Sequence, residues 1–200
     1  MRCTIVWAGP LARGSTVRNT SPSCAHKQWR RIFSGPNPRS DTLRFTATRC
    51  GTNLLPDPYV LSLPGWQFVL SHGDALCTDD KDYQAFRAQV RTPQWHLAFL
   101  RKPLNERKAI AAAMRQQSEN SKREKLKQAQ SMMDLNPSDT DDFLRAHGYA
   151  TFIHGHTHRP ATHNHLVDGI HVERWVLSDW HEDQGECLCW NGEQLTREAL

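Results

Sequence analysis

The sequence predicts an α/β fold, because two short apolar runs of the kind that forms buried strands are separated by a long stretch with helical features. The runs cover residues 68–70 and 149–153, and each leads directly into a segment with histidine and glycine. Open α/β sheets bind their ligands beyond the carboxyl ends of their strands. We therefore expect a functional site where these two runs end.

The first 46 residues differ from the rest in charge and in pattern. Residues 1–50 hold eight arginines and one lysine against a single acid, a balance of +8, whereas the whole chain has a net charge of +4. Proline and glycine interrupt residues 1–46, and no helical or strand period persists there. We predict an irregular basic segment, with a basic arm for nucleic acid or an acidic membrane as one interpretation and a targeting peptide as another.

Ordered elements are predicted from residue 52 onward. Residues 59–63 and 67–70 indicate two strands around the turn Pro64-Gly65. A helix capped by Thr78 or Asp79 is expected next, then an apolar patch at residues 95–100 and a long helix from Leu104. That patch is either core packing or part of a lid that holds acyl chains and rests on an anionic bilayer.

The carboxyl-terminal third predicts one more helix and several strands. Proline at position 137 and glycine at position 148 mark the start and the end of the helix. Residues 172–180 and 186–190 are predicted to be late strands of a second sheet, and we assign Cys187 and Cys189 to packing. His163 and His165 are expected in an exposed polar loop.

We call the point where each apolar run ends a junction: the first follows residues 68–70 and the second follows residues 149–153. The second junction carries three histidines in five residues: His154, His156 and His158. Side chains two apart leave a strand on the same side, so His156 and His158 can project together. Imidazole is the commonest side-chain metal ligand, and Gly155 lets a ligand approach the backbone. The alternative is a polar loop whose histidines share no single geometry.

The first junction adds His72, followed by Gly73 and Asp74. Together, His72, His156 and His158 form a predicted ligand set. Histidine with oxygen ligands suits manganese, zinc or iron, and the lack of a Cys-x-x-Cys pair argues against a zinc finger. For Asp74 we expect a role in fixing a histidine tautomer or capping a turn.

These motifs resemble a known family. His-Gly-Asp followed far downstream by Gly-His-x-His is similar to the second half of the calcineurin-like metallophosphoesterases, and among them to the UDP-2,3-diacylglucosamine hydrolase family of lipid A synthesis. Residues 72–80, 83–87, 133–137 and 153–160 carry the resemblance, in the family's order. It runs from about Cys50 to about Trp190. It implies a four-layer α/β sandwich over residues 47–200, with a helical lid at about residues 79–131, incomplete at the amino terminus.

The resemblance also implies an activity and a set of roles. The activity is hydrolysis of the pyrophosphate bond of UDP-2,3-diacylglucosamine to UMP and 2,3-diacylglucosamine 1-phosphate, with two Mn²⁺ ions per site. His156 would be catalytic, touching the phosphate as well as a metal ion, and His154 structural. The residues that match the family's substrate contacts are Asp80, Ser118, Lys122 and Lys125. The family has an asparagine at the position of Lys122, and Asn120 is close to it in this sequence. A shifted alignment would place the family's lysine at Lys127 instead of Lys125.

Several parts of the family pattern have no match. The Asp-x-His pair and the bridging aspartate are absent, and Asn37 is the weak candidate for the remaining asparagine ligand. We interpret the amino-terminal half of the pattern as missing or replaced, as a reading-frame error or a wrong start would leave it. Two alternatives stay open: a catalytically crippled fragment that binds nucleotide-sugar or membrane without turnover, and a histidine-rich module for a single zinc ion.

Composition narrows the setting of the protein. Two hundred residues suffice for one domain with a core, and no apolar run reaches the roughly 18 residues of a transmembrane helix. No secretory signal pattern is found, and six scattered cysteines favour a reducing compartment. We expect a cytoplasmic protein, peripheral on the inner face of the inner membrane as the family resemblance implies, with no nucleic-acid partner.

Overall fold

The computed structural model divides the chain into two compact units. The sheet unit comprises Met1–Gly73 and Thr140–Leu200, and the helical unit comprises Asp74–Asp139. The structure describes residues 2–8, 14–20, 32–33, 53–128, 134–179 and 185–199, with side chains for residues 55–114, 116–117, 134–179 and 185–199. The predicted mixed α/β class is confirmed, whereas the four-layer arrangement and the lid stay predictions.

Strands dominate the described part of the sheet unit, and helices the helical unit. The strands are β1 (Arg2–Ala8), β2 (Gly14–Thr20), β3 (Ile32–Phe33), β4 (Asn53–Leu54), β5 (Tyr59–Leu63), β6 (Trp66–Ser71), β7 (Thr151–His154), β8 (Ala161–Val167), β9 (Ile170–Val176), β10 (Glu186–Trp190) and β11 (Leu195–Ala199). The helices are α1 (Lys81–Val90), α2 (Pro93–Arg101), α3 (Leu104–Gln128) and α4 (Pro137–Ala146), with a 3₁₀ turn at Asp74–Leu76.

A five-stranded sheet in the order β5-β6-β7-β9-β8 forms the centre of the sheet unit. β6, β7 and β9 run parallel, and β5 and β8 are antiparallel to their neighbours. The predicted hairpin around Gly65 is confirmed, and this glycine has a φ of 77° that a residue with a Cβ rarely adopts. The strand predicted at residues 172–180 is β9, which lies in this sheet rather than in a second one, because it pairs with β7.

One core joins the five-stranded sheet to a four-stranded sheet of order β11-β10-β1-β2. Phe68 and Ile153 come from the first sheet, and Leu188 and Trp190 come from β10. The rings of Phe68 and Trp190 meet edge to face, with centroids 5.2 Å apart. The other face of the five-stranded sheet packs against α4, where Leu144 is fully buried.

The segment at residues 1–46 differs from the prediction of an irregular stretch, because it contains β1, β2 and β3. β1 pairs with β10 on one side and with β2 on the other, both antiparallel. β10 lies far from β1 in the sequence, so the pairing of these two strands leaves no local pattern in residues 1–46. β10 is thereby hydrogen-bonded on both of its sides.

His163 and His165, expected in a loop, instead lie on β8, where antiparallel pairing with β9 extends the chain. The predicted carboxyl-terminal helix is confirmed as α4, and Gly148 follows it with a φ of 66°.

Three consecutive helices make up most of the helical unit. The helix expected after Thr78 or Asp79 begins one residue later, since Asp80 accepts a hydrogen bond from the backbone N–H of Tyr83. Thr78 and Asp79 have other partners, the carboxylate of Asp139 and the amide of Asn136. The long helix predicted from Leu104 is confirmed as α3. No helix in the described part of the chain is long and apolar enough to cross a bilayer.

Asp74 anchors α1 to the start of the helical unit. Its carboxylate, 1% exposed, accepts hydrogen bonds from the guanidinium groups of Arg87 and Arg91 and from the hydroxyl of Tyr83. Burial, with the nearby Asp74 charge second, raises the pKa of the Tyr83 phenol well above its usual range. The contacts of Asp74 therefore include two cations and a phenol, and the expected role in fixing a histidine tautomer or capping a turn stays a prediction.

A second polar cluster ties the end of α4 to the turn between β8 and β9. Arg145 donates two hydrogen bonds to Asp168, at 2.6 and 2.9 Å, and the Tyr149 hydroxyl donates a third at 2.8 Å. The Arg145 contact first, and then the Tyr149 contact, lower the pKa of the Asp168 carboxyl from 3.8 to about 2.

Because the folded-state pKa of Asp168 is depressed, this cluster stabilises the fold above about pH 4 and loses its effect as the pH falls toward 2. In Asp168→Asn we expect a lower free energy of unfolding at neutral pH and a shallower loss of that energy between pH 4 and pH 2. Urea unfolding at a series of pH values measures both. Asp142→Asn is the control, because it leaves the bidentate pair intact. Superimposable pH profiles for Asp168→Asn and the unaltered protein would contradict the assignment.

Candidate metal centre

The two predicted junctions meet at one edge of the five-stranded sheet. β6 and β7 are adjacent and parallel, and Ser71 lies opposite His154. His72 and Gly155 therefore leave the sheet side by side, each one residue beyond the register pair. This confirms the sequence prediction that the two strand ends converge, and it follows from parallel pairing, which gathers carboxyl ends at one edge.

His72 and His156 form the closest part of the centre. Their ring centroids lie 5.1 Å apart and the ring planes are tilted by 51°. Two imidazoles bound to one ion at about 2.1 Å, with a near-tetrahedral angle between them, place their ring centres about 5 Å apart. The centroid distance of the pair is therefore compatible with one shared divalent cation.

Asp57 holds the His72 end of the pair. Its carboxylate accepts hydrogen bonds from the Ser71 hydroxyl at 2.6 Å and from the His72 backbone N–H at 3.2 and 3.3 Å. The Ser71 hydroxyl in turn accepts a bond from the Gly73 N–H at 3.1 Å. This arrangement fixes the backbone from which the His72 imidazole extends.

His158 lies by another carboxylate. Its Nδ1 is 3.4 Å from Oδ1 of Asp179, which follows the carboxyl end of β9. β9 is parallel to β7 and pairs His154 with Val176, so Asp179 leaves the sheet at the same edge as the histidines. An imidazole beside a carboxylate is a donor pair that suits manganese, zinc or iron.

The strand argument for His156 and His158 does not hold in the structure. β7 ends at His154, and His156 and His158 have φ values of 63° and 52°. Left-handed backbone at a residue with a Cβ costs of order 1–3 kcal/mol and is typical of functional sites. Two left-handed residues direct the loop, so the period of a strand does not decide where these imidazoles point.

Among the described side chains, His72, His156 and His158 do not form one set whose ligand atoms all lie within 4.8 Å of one another. The arrangement instead consists of two neighbouring parts, the His72–His156 pair and the His158–Asp179 pair. Such a division is compatible with two cation positions. The donors of both parts are imidazoles and a carboxylate, so their chemistry fits the expected metal.

A buried chain of polar groups supports the loop that carries the histidines. Arg174, 5% exposed, donates from one guanidinium nitrogen to His154 Nε2 at 3.0 Å and from Nε to His165 Nε2 at 3.3 Å. Since arginine is only a donor, both of these ring nitrogens accept. His154 therefore carries its proton on Nδ1 and donates it to the Gly155 carbonyl at 2.9 Å, and His165 does the same to Asp141 at 3.0 Å. The structural role expected for His154 agrees with this geometry.

The other predicted site residues belong to the helical unit or to the undescribed residues. Asp80 is the N-cap of α1, in the helical unit. Positions 118, 122 and 125 lie on α3 at separations of four and three residues, which places them on one helix face. Their side chains and Asn37 fall outside the described part of the structure.

Sequence reasoning missed Asp57, Asp179 and Arg174. A polar residue soon after a third apolar strand was the available signal for Asp179, since β9 ends at the same sheet edge. Asp57 gave no such signal, because it precedes β5 and reaches His72 only through the fold. A cleft of about 1050 Å³ next to Trp66 and Tyr149 contains none of the predicted ligands.

Comparison with curated proteins identifies relatives by sequence. Over 146 residues, 73% of this chain, the sequence is 51% identical to a UDP-2,3-diacylglucosamine hydrolase from Aromatoleum aromaticum and covers 58% of it. Identity is 48% over 140 residues with the hydrolase of the same name from Chromobacterium violaceum, and 47% over 157 residues with that from Aeromonas hydrophila. These two matches include 70% and 77% of this chain, and 56% and 63% of the length of the relatives. No family model matches the chain.

Gly73 provides a test of how tightly the centre is packed. A Cβ at this position would lie 2.8 Å from Nδ1 of His154, and the φ of 94° is unfavourable for any side chain. We expect Gly73→Ala to lower the free energy of unfolding by about 1–3 kcal/mol more than a positive φ alone does. Gly65→Ala is the matched control, because Gly65 has a φ of 77° but open space around it. Equal losses in the two variants would show that the contact with His154 carries no energy.

Proposed function

Over the matched residues this chain is a homologue of UDP-2,3-diacylglucosamine hydrolases, and from that premise we propose that it hydrolyses the pyrophosphate bond of UDP-2,3-diacylglucosamine. The products are UMP and 2,3-diacylglucosamine 1-phosphate. The observation that carries the proposal is the meeting of His72 and His156 at adjoining strand ends. The chain spans less than two thirds of the length of these relatives, so the activity is proposed for the chain as it stands.

We assign separate roles in metal binding and phosphate binding to the residues of the histidine centre. His72 and His156 would hold one divalent cation, and His158, with Asp179 beside it, would serve a second position. Bound manganese would supply a water of lowered pKa and would neutralise charge on the phosphoryl oxygens. His156 would also touch the α-phosphate, and Asp57 keeps His72 in place through its backbone N–H.

The other substrate contacts that the family resemblance assigns are residues of the helical unit. Positions 118, 122 and 125 form a polar and basic face on α3, and lysine side chains there neutralise the diphosphate. Asp80 contacts the nucleotide-sugar, and the hydrogen bond that it accepts from Tyr83 N–H holds its carboxylate in one orientation.

Exposed apolar side chains give the helical unit a second role as a lid for acyl chains and a contact with the inner membrane. Phe86, Leu97 and Leu104 are 39%, 55% and 57% exposed. Arg101, Lys102 and Lys108 lie close to them in sequence, which favours an anionic bilayer surface. The protein is therefore peripheral, on the cytoplasmic side.

The first test combines metal content with turnover. The metal-depleted protein is given manganese, and both bound ions and UMP release from UDP-2,3-diacylglucosamine are measured. We expect two ions per chain and turnover, and a loss of about a hundredfold or more in His156→Ala, because it removes a metal ligand and a phosphate contact. His171→Ala, an exposed histidine on β9, is the control with unchanged turnover.

The alternatives predict other outcomes in the same experiment. One ion or none, without UMP release from a folded protein, would indicate the crippled fragment. A single zinc ion that depends on His156 and His158, again without UMP release, would indicate a zinc-binding module.

A separate test addresses the membrane contact. Replacing Leu97 by serine should lower binding to vesicles that contain phosphatidylglycerol by about tenfold to a hundredfold, since burial of a leucine side chain contributes about 1.5–3 kcal/mol and each 1.4 kcal/mol is a factor of ten. Leu166→Ser is the control, because Leu166 is 64% exposed but lies on β8 in the sheet unit. Equal vesicle binding by the two variants would remove the proposed contact.

A further inference from the structure

β10 and β11 bring two thiols and a carboxylate together outside the histidine centre. Cys187 and Cys189 are two residues apart on β10 and share one face of the sheet. β11 pairs with β10 so that Glu198 lies directly opposite Cys187. The three ligand atoms all lie within 4.8 Å of one another, the one such set of histidine, cysteine or acidic groups in the described part of the chain.

The spacing of the two sulfur atoms matches tetrahedral coordination. Their separation is 3.7 Å, and both side chains are thiols rather than a disulfide. Zinc binds thiolate sulfur at about 2.3 Å, so two thiolates at a tetrahedral angle lie about 3.8 Å apart. Two thiolates on opposite sides of a linear two-coordinate ion would be about 4.6 Å apart. The sulfur pair therefore fits a four-coordinate ion.

The three groups lie largely away from solvent. Cys187 and Cys189 are 2% and 4% exposed, and Glu198 is half-buried beside them. A cation bound among these groups would therefore be held by protein ligands in a mostly buried position.

We propose that Cys187, Cys189 and Glu198 form a binding site for a borderline divalent cation such as Zn²⁺, separate from the phosphoesterase centre. Two thiolates and one carboxylate are a donor set that suits zinc better than manganese or magnesium. Binding releases the two thiol protons to solvent and leaves the fourth position for water or a ligand outside the described residues. The ion links β10 to β11, the edge strand of the four-stranded sheet.

From the sequence alone we predicted a packing role for these two thiols, because a Cys-x-Cys pair supplies only two metal ligands. The third ligand lies on another strand and becomes visible only in the structure. The inference is independent of the hydrolase activity. Loss of turnover does not bear on it, and the side chains described at the histidine centre are imidazoles and carboxylates without sulfur.

Cobalt provides the first test, since a Co²⁺–thiolate bond gives an intense charge-transfer absorption in the near ultraviolet that imidazole and carboxylate ligands do not. The reduced, metal-depleted full chain is titrated with Co²⁺ without oxygen. We expect the thiolate band to saturate at one equivalent, to fall in Cys187→Ser and Cys189→Ser, and to vanish in the double variant. Glu198→Gln should weaken binding at least as much as the roughly 10- to 100-fold that loss of an outer-shell partner costs.

Two controls separate this site from other metal binding. Cys77→Ser removes another buried thiol, 4% exposed in the helical unit, and should leave the band unchanged. His156→Ala alters the histidine centre and should also leave the band unchanged. Far-ultraviolet circular dichroism establishes that each variant keeps the secondary structure of the unaltered protein.

A measurement without substitutions guards against variants that fail to fold. The unaltered protein loaded with ¹¹³Cd²⁺ should give a resonance shifted to the region of two sulfur ligands, distinct from any resonance of nitrogen and oxygen sites. Resonances from nitrogen and oxygen sites alone, or a cobalt spectrum without a thiolate band, would overturn the proposal and leave the thiols as a packing pair. A thiolate band that persists in the double variant would overturn it as well.

Discussion

Parallel hydrogen bonding between β6 and β7 is the constraint on which the candidate centre depends. It sets Ser71 against His154, and the next residues on both strands then leave the sheet together. The paired residues of both strands are buried, so a shift by one residue would move each core side chain to the opposite face of the sheet. The core therefore determines the register, and the register brings the segments that carry His72 and His156 to the same edge of the sheet.

Hydrogen bonds from a buried arginine support the loop after β7. Arg174 is buried and donates to the rings of both His154 and His165, which fixes their tautomers. His154 then bonds to the Gly155 carbonyl, next to the residues whose left-handed backbone aims the imidazoles. Gly73 completes this packing, because only a residue without a Cβ leaves room for the His154 ring.

The two sheets of the sheet unit carry different candidate sites. The histidines and Asp179 follow the carboxyl ends of strands in the five-stranded sheet. Because these strands are parallel, the groups share one edge of the sheet. The four-stranded sheet contributes Leu188 and Trp190 to the common core through one face of β10. The other face carries Cys187 and Cys189 opposite Glu198 on β11. A single strand therefore takes part in the core and presents thiols on its far side.

Local patterns in the amino-acid sequence were enough to predict the α/β class, the hairpin of β5 and β6, the helices α3 and α4, and the convergence of the two histidine segments. The patterns are a Pro-Gly turn, a helix between proline and glycine, and apolar runs before histidine. Folding of the whole chain was needed to bring Arg87 and Arg91 to Asp74, to place β9 in the five-stranded sheet, and to bring Asp57, Asp179, Arg174 and Glu198 to their sites. Each of these contacts joins residues that are far apart in the chain or on separate elements, and local periodicity contains no record of such partners.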